Sequence, residues 1–132
     1  CTFCHRNVDK GSNAMVPAVE QCMFCHRAVT GGGSSDPAKL VEIAKVREAF
    51  ESGNPIDWIR VHRLPDTVRF VHSAHIKALS KPGMPTAQVC STCHGNVPSM
   101  TTVGQVRSLK MGDCVACHRQ NSAPTDCTTC HK

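Results

Sequence analysis

Bulky apolar residues are scarce in this chain. Its 132 residues include no Tyr, one Trp and four Phe, an aromatic share of 4%. That is too little to fill an ordinary core at this length, and small domains so deprived lean on disulfides, metals or other non-protein material. No apolar run approaches the roughly 20 residues that cross a membrane as a helix, and no secretory leader is visible. No catalytic triad and no paired carboxylates can be argued. Asp36, Asp57, Asp66, Asp113 and Asp126 stand in capping, loop or motif-flanking contexts that solvation or capping explains.

No cysteine is left over either. All ten fall in five Cys-X-X-Cys-His motifs: Cys1–His5, Cys22–His26, Cys90–His94, Cys114–His118 and Cys127–His131. A disulfide framework would account for the cysteines, but bridges have no reason to demand a His after every second Cys. Zinc is a stronger alternative, since paired Cys-X-X-Cys elements are common ligands. Four Cys fill a zinc site, however, and five pairs do not divide evenly. Covalent haem explains the whole pattern. The pairs Cys1 and Cys4, Cys22 and Cys25, Cys90 and Cys93, Cys114 and Cys117, and Cys127 and Cys130 each form thioethers to one porphyrin. His5, His26, His94, His118 and His131 are the proximal iron ligands. Five haem c groups would replace the missing apolar interior.

The formal charge of +5, with 15 Lys and Arg, takes a different meaning once haem is counted. Each ferric haem brings two propionates and one positive centre, so five add roughly −5 and cancel the chain's excess. The cations are then partners for propionates. With no recognisable binding motif and few aromatics, nucleic acid is not an expected partner. Asp57 and Asp66, beside Arg60, Arg63 and Arg69, stand as candidates to tune or relay protons to propionates. The chain opens on a haem cysteine, an odd place for a natural start, so upstream sequence with a leader or anchor is expected. A lipidated Cys1 is the rival, in conflict with a thioether on the same sulfur.

Along the chain, residues 1–30 form a two-haem N-terminal lobe. Residues 31–55 form a linker and helix, and residues 56–132 a distal-ligand segment with a three-haem lobe. His5-Arg6-Asn7-Val8 and His26-Arg27-Ala28-Val29 are weak repeats of one unit, echoed at His94-Gly95-Asn96-Val97 and His118-Arg119. Each motif is expected on a short helical turn. Gly31-Gly32-Gly33-Ser34-Ser35 is a flexible linker by composition. After it, Asp36 is an N-cap and Pro37 suits the first helical position. Leu40, Ile43, Arg47 and Phe50 make a stripe with Val46 beside it, and Gly53 and Pro55 stop the helix. This helix is expected to be a packing strut between lobes. Residues 56–71 are expected to be extended but irregular, since Pro65 excludes a central strand. A helical turn should run from His72 to Leu79, ended by Lys81-Pro82-Gly83.

Three histidines remain, all in one stretch: His62, His72 and His75. On a helix, His72 and His75 lie i, i+3 on one face. So placed they cannot easily serve the same iron, but they can serve two neighbouring ones as distal ligands, with His62 reaching a third. Two irons are left for Met15, Met84, Met100 or Met111, for histidines outside this chain, or for an open site. Met23 sits inside its own motif and is a poor candidate. A Met/His pair would raise the potential relative to His/His. Six-coordinate iron leaves no position for substrate, which favours electron transfer over catalysis.

Phe70-Val71-His72-Ser73-Ala74-His75 followed by three haem motifs resembles the class III, cytochrome c3/c7-like multihaem cytochromes. The resemblance implies that this element supplies distal ligands to two adjacent haems. One departure is that His94 is followed by Gly95 and not by a second His, which leaves that ligand role to His62. Residues 55–66, Cys93-His94-Gly95 and 109–114 are further similar to the pentahaem subunit of bacterial alternative complex III and to the related menaquinone reductase haem subunit. That likeness implies a further Phe-X-His-X-X-His element upstream, supplying the two missing ligands. It implies a place on the periplasmic, positive side of a membrane, anchored by upstream sequence or by partners. Those partners are iron–sulfur and quinol-oxidising subunits, a mono-haem cytochrome and a downstream acceptor. The expected fold is mainly α with much irregular structure, organised by haem, with few or no strands. The expected function is that of an electron-transfer subunit, not an enzyme by itself. The rivals are a free periplasmic c7-like shuttle and a multihaem reductase with an open haem.

Overall fold

A computed structural model describes residues 1–132. It contains six α-helices and no sheet: α1 (Val19–His26), α2 (Pro37–Ser52), α3 (His72–Leu79), α4 (Thr86–His94), α5 (Met111–Gln120) and α6 (Cys127–Cys130). A 3-10 turn at Val97–Ser99 follows α4. The nearest thing to a strand is one isolated antiparallel bridge between Val68 and His131. The mainly helical, irregular fold expected from the sequence is the one observed. No helix is long and apolar enough to cross a membrane.

Two compact units divide the chain: Met15–Ile59, and Cys1–Ala14 together with Arg60–Lys132. This division differs from the one drawn along the sequence. The first motif groups with the last three, because the loop after it is hydrogen-bonded to α3. His72 N–H donates to Ser12 O and Ser73 N–H to Gly11 O, each at 3.1 Å. These loop carbonyls satisfy first-turn N–H groups that no side chain caps, since Val71 offers none.

In the unit Met15–Ile59, α2 behaves as its pattern dictates. Asp36 Oδ1 accepts from Ala38 N–H at 3.0 Å, and Gly53 closes the other end. The half-buried face carries Ile43, Val46, Arg47 and Phe50, and α2 packs on α1. Arg47 Nη1 donates to His26 O at 3.1 Å, and the Arg27 guanidinium lies 5.7 Å from the Phe50 ring centroid. The glycine run does not act as a free linker. Gly31, at φ +79°, folds into a turn, and a Cβ there would stand 2.9 Å from both Leu40 Cδ2 and Ile43 Cδ1. Only glycine allows this backbone and this approach.

Neither unit has a filled interior. Val8, Met23 and Val89 are the buried apolar residues of the entire chain, and no large side chain is fully enclosed. Phe3, Phe24, Trp58 and Ile59 are exposed, Ile59 at 90%. A folded backbone with so little buried apolar surface lacks the main favourable contribution to folding. The apolar surface left open to water is what a large flat apolar group would cover.

Candidate haem-binding site

Each motif adopts the predicted helical turn. Cys22–His26 ends α1, Cys90–His94 ends α4 and Cys114–His118 lies within α5. The other two are single turns: His5 N–H donates to Cys1 O at 2.9 Å, and His131 N–H to Cys127 O at 2.8 Å. Asp126 caps the last turn by accepting from Thr129 N–H at 3.0 Å. Hydrogen bonds from Thr129 and Thr128 hold its carboxyl below the usual carboxylate range.

All ten cysteines are free of disulfides, and none is buried. Cys1, Cys4, Cys25 and Cys127 are exposed, while Cys22, Cys90, Cys93, Cys114, Cys117 and Cys130 are half-buried. The first motif thus presents both of its sulfurs to the surface, and the second presents Cys25. Nowhere do three or more His, Cys, Asp or Glu side chains gather as a site for a bare metal ion.

The imidazoles are oriented by the backbone. Nδ1–H of His26 donates to Val29 O at 3.1 Å, that of His72 to Ser12 O at 2.7 Å and that of His75 to Val71 O at 2.8 Å. His118 Nδ1–H donates to Pro124 O at 2.5 Å. A carbonyl can only accept, so Nδ1 carries the proton and Nε2 keeps its lone pair. That is the tautomer a metal-bound imidazole needs, with its other nitrogen anchored. Sequence reading missed these acceptors because a main-chain carbonyl has no residue-type signature.

Around α3 the spare histidines meet two of the motif histidines. The His72 and His94 rings are nearly parallel, 7° apart, with centroids separated by 6.5 Å. His75 and His118 stand 6.0 Å apart. With metal–nitrogen bonds of about 2 Å, two imidazoles on opposite faces of one ion hold their centroids roughly 6 Å apart. Both pairs match that spacing. Phe70 stacks on His75 at 4.3 Å and meets His72 edge-on at 4.8 Å, which holds the two rings apart.

His62 is placed differently. Its ring packs edge-on against His94 at 4.4 Å, too close for an ion between them. Its Nε2 is buried with no hydrogen-bond partner. An orphaned buried nitrogen is costly and rare, and a metal would satisfy it. Burial, with His62, His72 and His5 nearby, lowers the His94 pKa. The neutral form is thereby favoured, as ligation requires.

Among the methionines, Met15 and Met111 are largely exposed, and Met84 is half-buried. Met100 packs on Gly95, its Cε 3.0 Å from where a Cβ would be. Gly95 itself has φ 69° and ψ −168°. A side chain at this position would be strained by the positive φ and would crowd Met100 and Val106. Asp113, read from sequence as solvated or capping, is instead half of an ion pair with Arg107.

A helical and irregular chain with almost no interior, unbridged cysteine pairs and Nε2-presenting histidines defines a multihaem electron-transfer protein. The comparisons agree. The model of the family "Cytochrome c7 and related cytochrome c" matches residues 68–132. The "Cytochrome c3" of Desulfuromonas acetoxidans is 31% identical over 75 residues, covering 57% of this chain and 96% of that protein. The chain belongs to the cytochrome c7 and related cytochrome c family, and its cofactor is covalently bound c-type haem. The family match spans the last three motifs and α3. The first two motifs, with Cys1, Cys4, Cys22 and Cys25, lie outside it.

Proposed function

We propose that this chain carries five haems c and serves as the pentahaem electron-transfer subunit of a quinol-oxidising membrane complex of the alternative complex III type. The observation that carries the count is the set of five motifs, two of them upstream of the c7-like part. When bound, each haem supplies a one-electron ferric/ferrous couple. The chain's residues hold and orient. Each motif's two cysteines supply the thioethers, and His5, His26, His94, His118 and His131 the proximal nitrogens.

His72 would share an iron with His94, and His75 one with His118, a pairing supported by ring separations of 6.5 and 6.0 Å. The orphaned Nε2 of His62 would serve a third iron. The remaining two distal ligands come from outside these 132 residues, in preference to the exposed Met15 and Met111 or the packed Met100. The likeness of residues 55–66 and 109–114 to the pentahaem subunit supports a periplasmic position beside iron–sulfur and quinol-oxidising subunits.

A second reading, a free periplasmic shuttle, is favoured by the relative named cytochrome c3, 96% of whose length aligns here. Haem stoichiometry and intact mass test the count, and five haems per chain is the expected result. Isolation from native membranes separates the two functions. Co-purification with partners that reduce the haems from quinol is expected. A protein recovered alone in the soluble periplasmic fraction would replace the subunit reading with the shuttle. A ferric high-spin haem that binds cyanide or nitrite would favour a reductase instead.

A further inference from the structure

The segment joining the Cys90–His94 and Cys114–His118 motifs is latched at both ends. At one end Met100 Cε and Val106 Cγ1 each come within 3.0 Å of the Cβ position that Gly95 leaves vacant. At the other, Arg107 forms a two-bond fork with Asp113. Its Nε donates to Oδ2 at 3.2 Å and its Nη2 to Oδ1. The two side chains are 29% and 25% exposed, whereas Lys39–Asp36 and Lys45–Glu42 are at least 47% exposed on both sides. Solvent and salt screen such exposed pairs to almost nothing, but act less on a shielded one. Asp113 directly precedes Cys114. The fields of both charges reach Cys93 and Cys114, and that of Arg107 also reaches Cys117.

We propose that Arg107 and Asp113 are opposed charges whose pairing keeps either one alone from shifting the reduction potentials of the two haems attached at Cys90/Cys93 and Cys114/Cys117. The inference rests on the haem assignment above. Reduction adds one electron, from an external mediator, to ferric iron; no bond is made or broken and one positive charge is lost. A nearby cation therefore favours the ferrous form and a nearby anion the ferric form. Paired, the two charges largely cancel. Removing either unmasks the other, and the two removals act in opposite directions. A pair that served only as a mechanical clamp would behave otherwise: loosening it from either side admits water and moves potentials the same way.

The test is a mediated redox titration of the intact holoprotein, followed haem by haem through NMR of the haem methyl resonances. It uses Arg107→Gln, Asp113→Asn and the double variant. Arg107→Gln should lower, and Asp113→Asn should raise, at least one midpoint by about a tenfold change in the reduction equilibrium, 59 mV for one electron. The double variant should return close to the parent. Shifts of the same sign, or none, with haem content intact, overturn the proposal. Should a neutral variant fail to mature, Arg107→Lys and Asp113→Glu keep the charges and should keep the parent's midpoints. A tenfold change in either would mean that geometry and not charge governs, and would also overturn it. Haem content of the parent protein is measured first. Absence of haem at these two motifs sinks the haem assignment, a result distinct from unshifted midpoints.

Discussion

Single side chains carry the most specific expectations. His72→Ala and His75→Ala should each convert a different haem to the high-spin ferric state, the His94-motif haem in the first case and the His118-motif haem in the second. Electron paramagnetic resonance with haem-resolved NMR checks this. Both changes falling on one haem would break the pairing drawn from the 6.5 and 6.0 Å separations. Gly95→Ala places a Cβ at positive φ and 3.0 Å from Met100 and Val106. The expected cost is about 1–3 kcal/mol, read as a lower denaturant midpoint of the holoprotein. The spare histidines were legible in the sequence because so few existed outside the motifs. Their partners were not, since ring-to-ring spacing depends on how α3 lies against α4 and α5. The buried Nε2 of His62 was likewise invisible: burial is a property of neighbours, and its neighbour His94 belongs to a distant part of the chain. The exposure of Cys4 and Cys25 was hidden for the same reason, although their pairing within the motifs was plain.

Elements show how far local rules reach. The cap at Asp36, proline at the first turn and Gly53 at the end define α2 in sequence and in structure. Asp36→Ala should destabilise its unit by about 1 kcal/mol, with haem spectra unchanged, since the cap lies at the end of α2 away from His26 and Phe50. Thermal melts followed by circular dichroism and by the haem absorption band would separate the two effects. The irregular character of residues 56–71, without a regular strand, and the helical turn His72–Leu79 were equally readable. The glycine run was not, because composition gives flexibility while the approach of Leu40 and Ile43 to Gly31 is tertiary. Nor was the start of α3 explained locally, since its first N–H groups are satisfied by Gly11 and Ser12, far earlier in the chain.

The molecule as a whole has almost nothing to fold around except its cofactor. With Val8, Met23 and Val89 as its buried apolar residues, the haem-free chain should show no cooperative unfolding transition and weak, broad helical signal. The haem-loaded chain should unfold cooperatively. A sharp transition in the haem-free protein would mean that the polypeptide suffices. Metal-organised domains behave in the expected way because site binding and folding are one equilibrium.

The residue order alone determined the five Cys-X-X-Cys-His motifs, the scarcity of bulky apolar residues, and α2 with its caps. These depend on composition and on contacts a few positions apart, which period and spacing encode. Only the folded chain decided that the first motif groups with the last three, that His72 faces His94 and His75 faces His118, and that Arg107 meets Asp113. Those outcomes depend on distances between segments far apart in sequence. Such distances are set by hydrogen bonds from main-chain carbonyls and by close approaches at glycine, which leave no mark in the pattern of side chains.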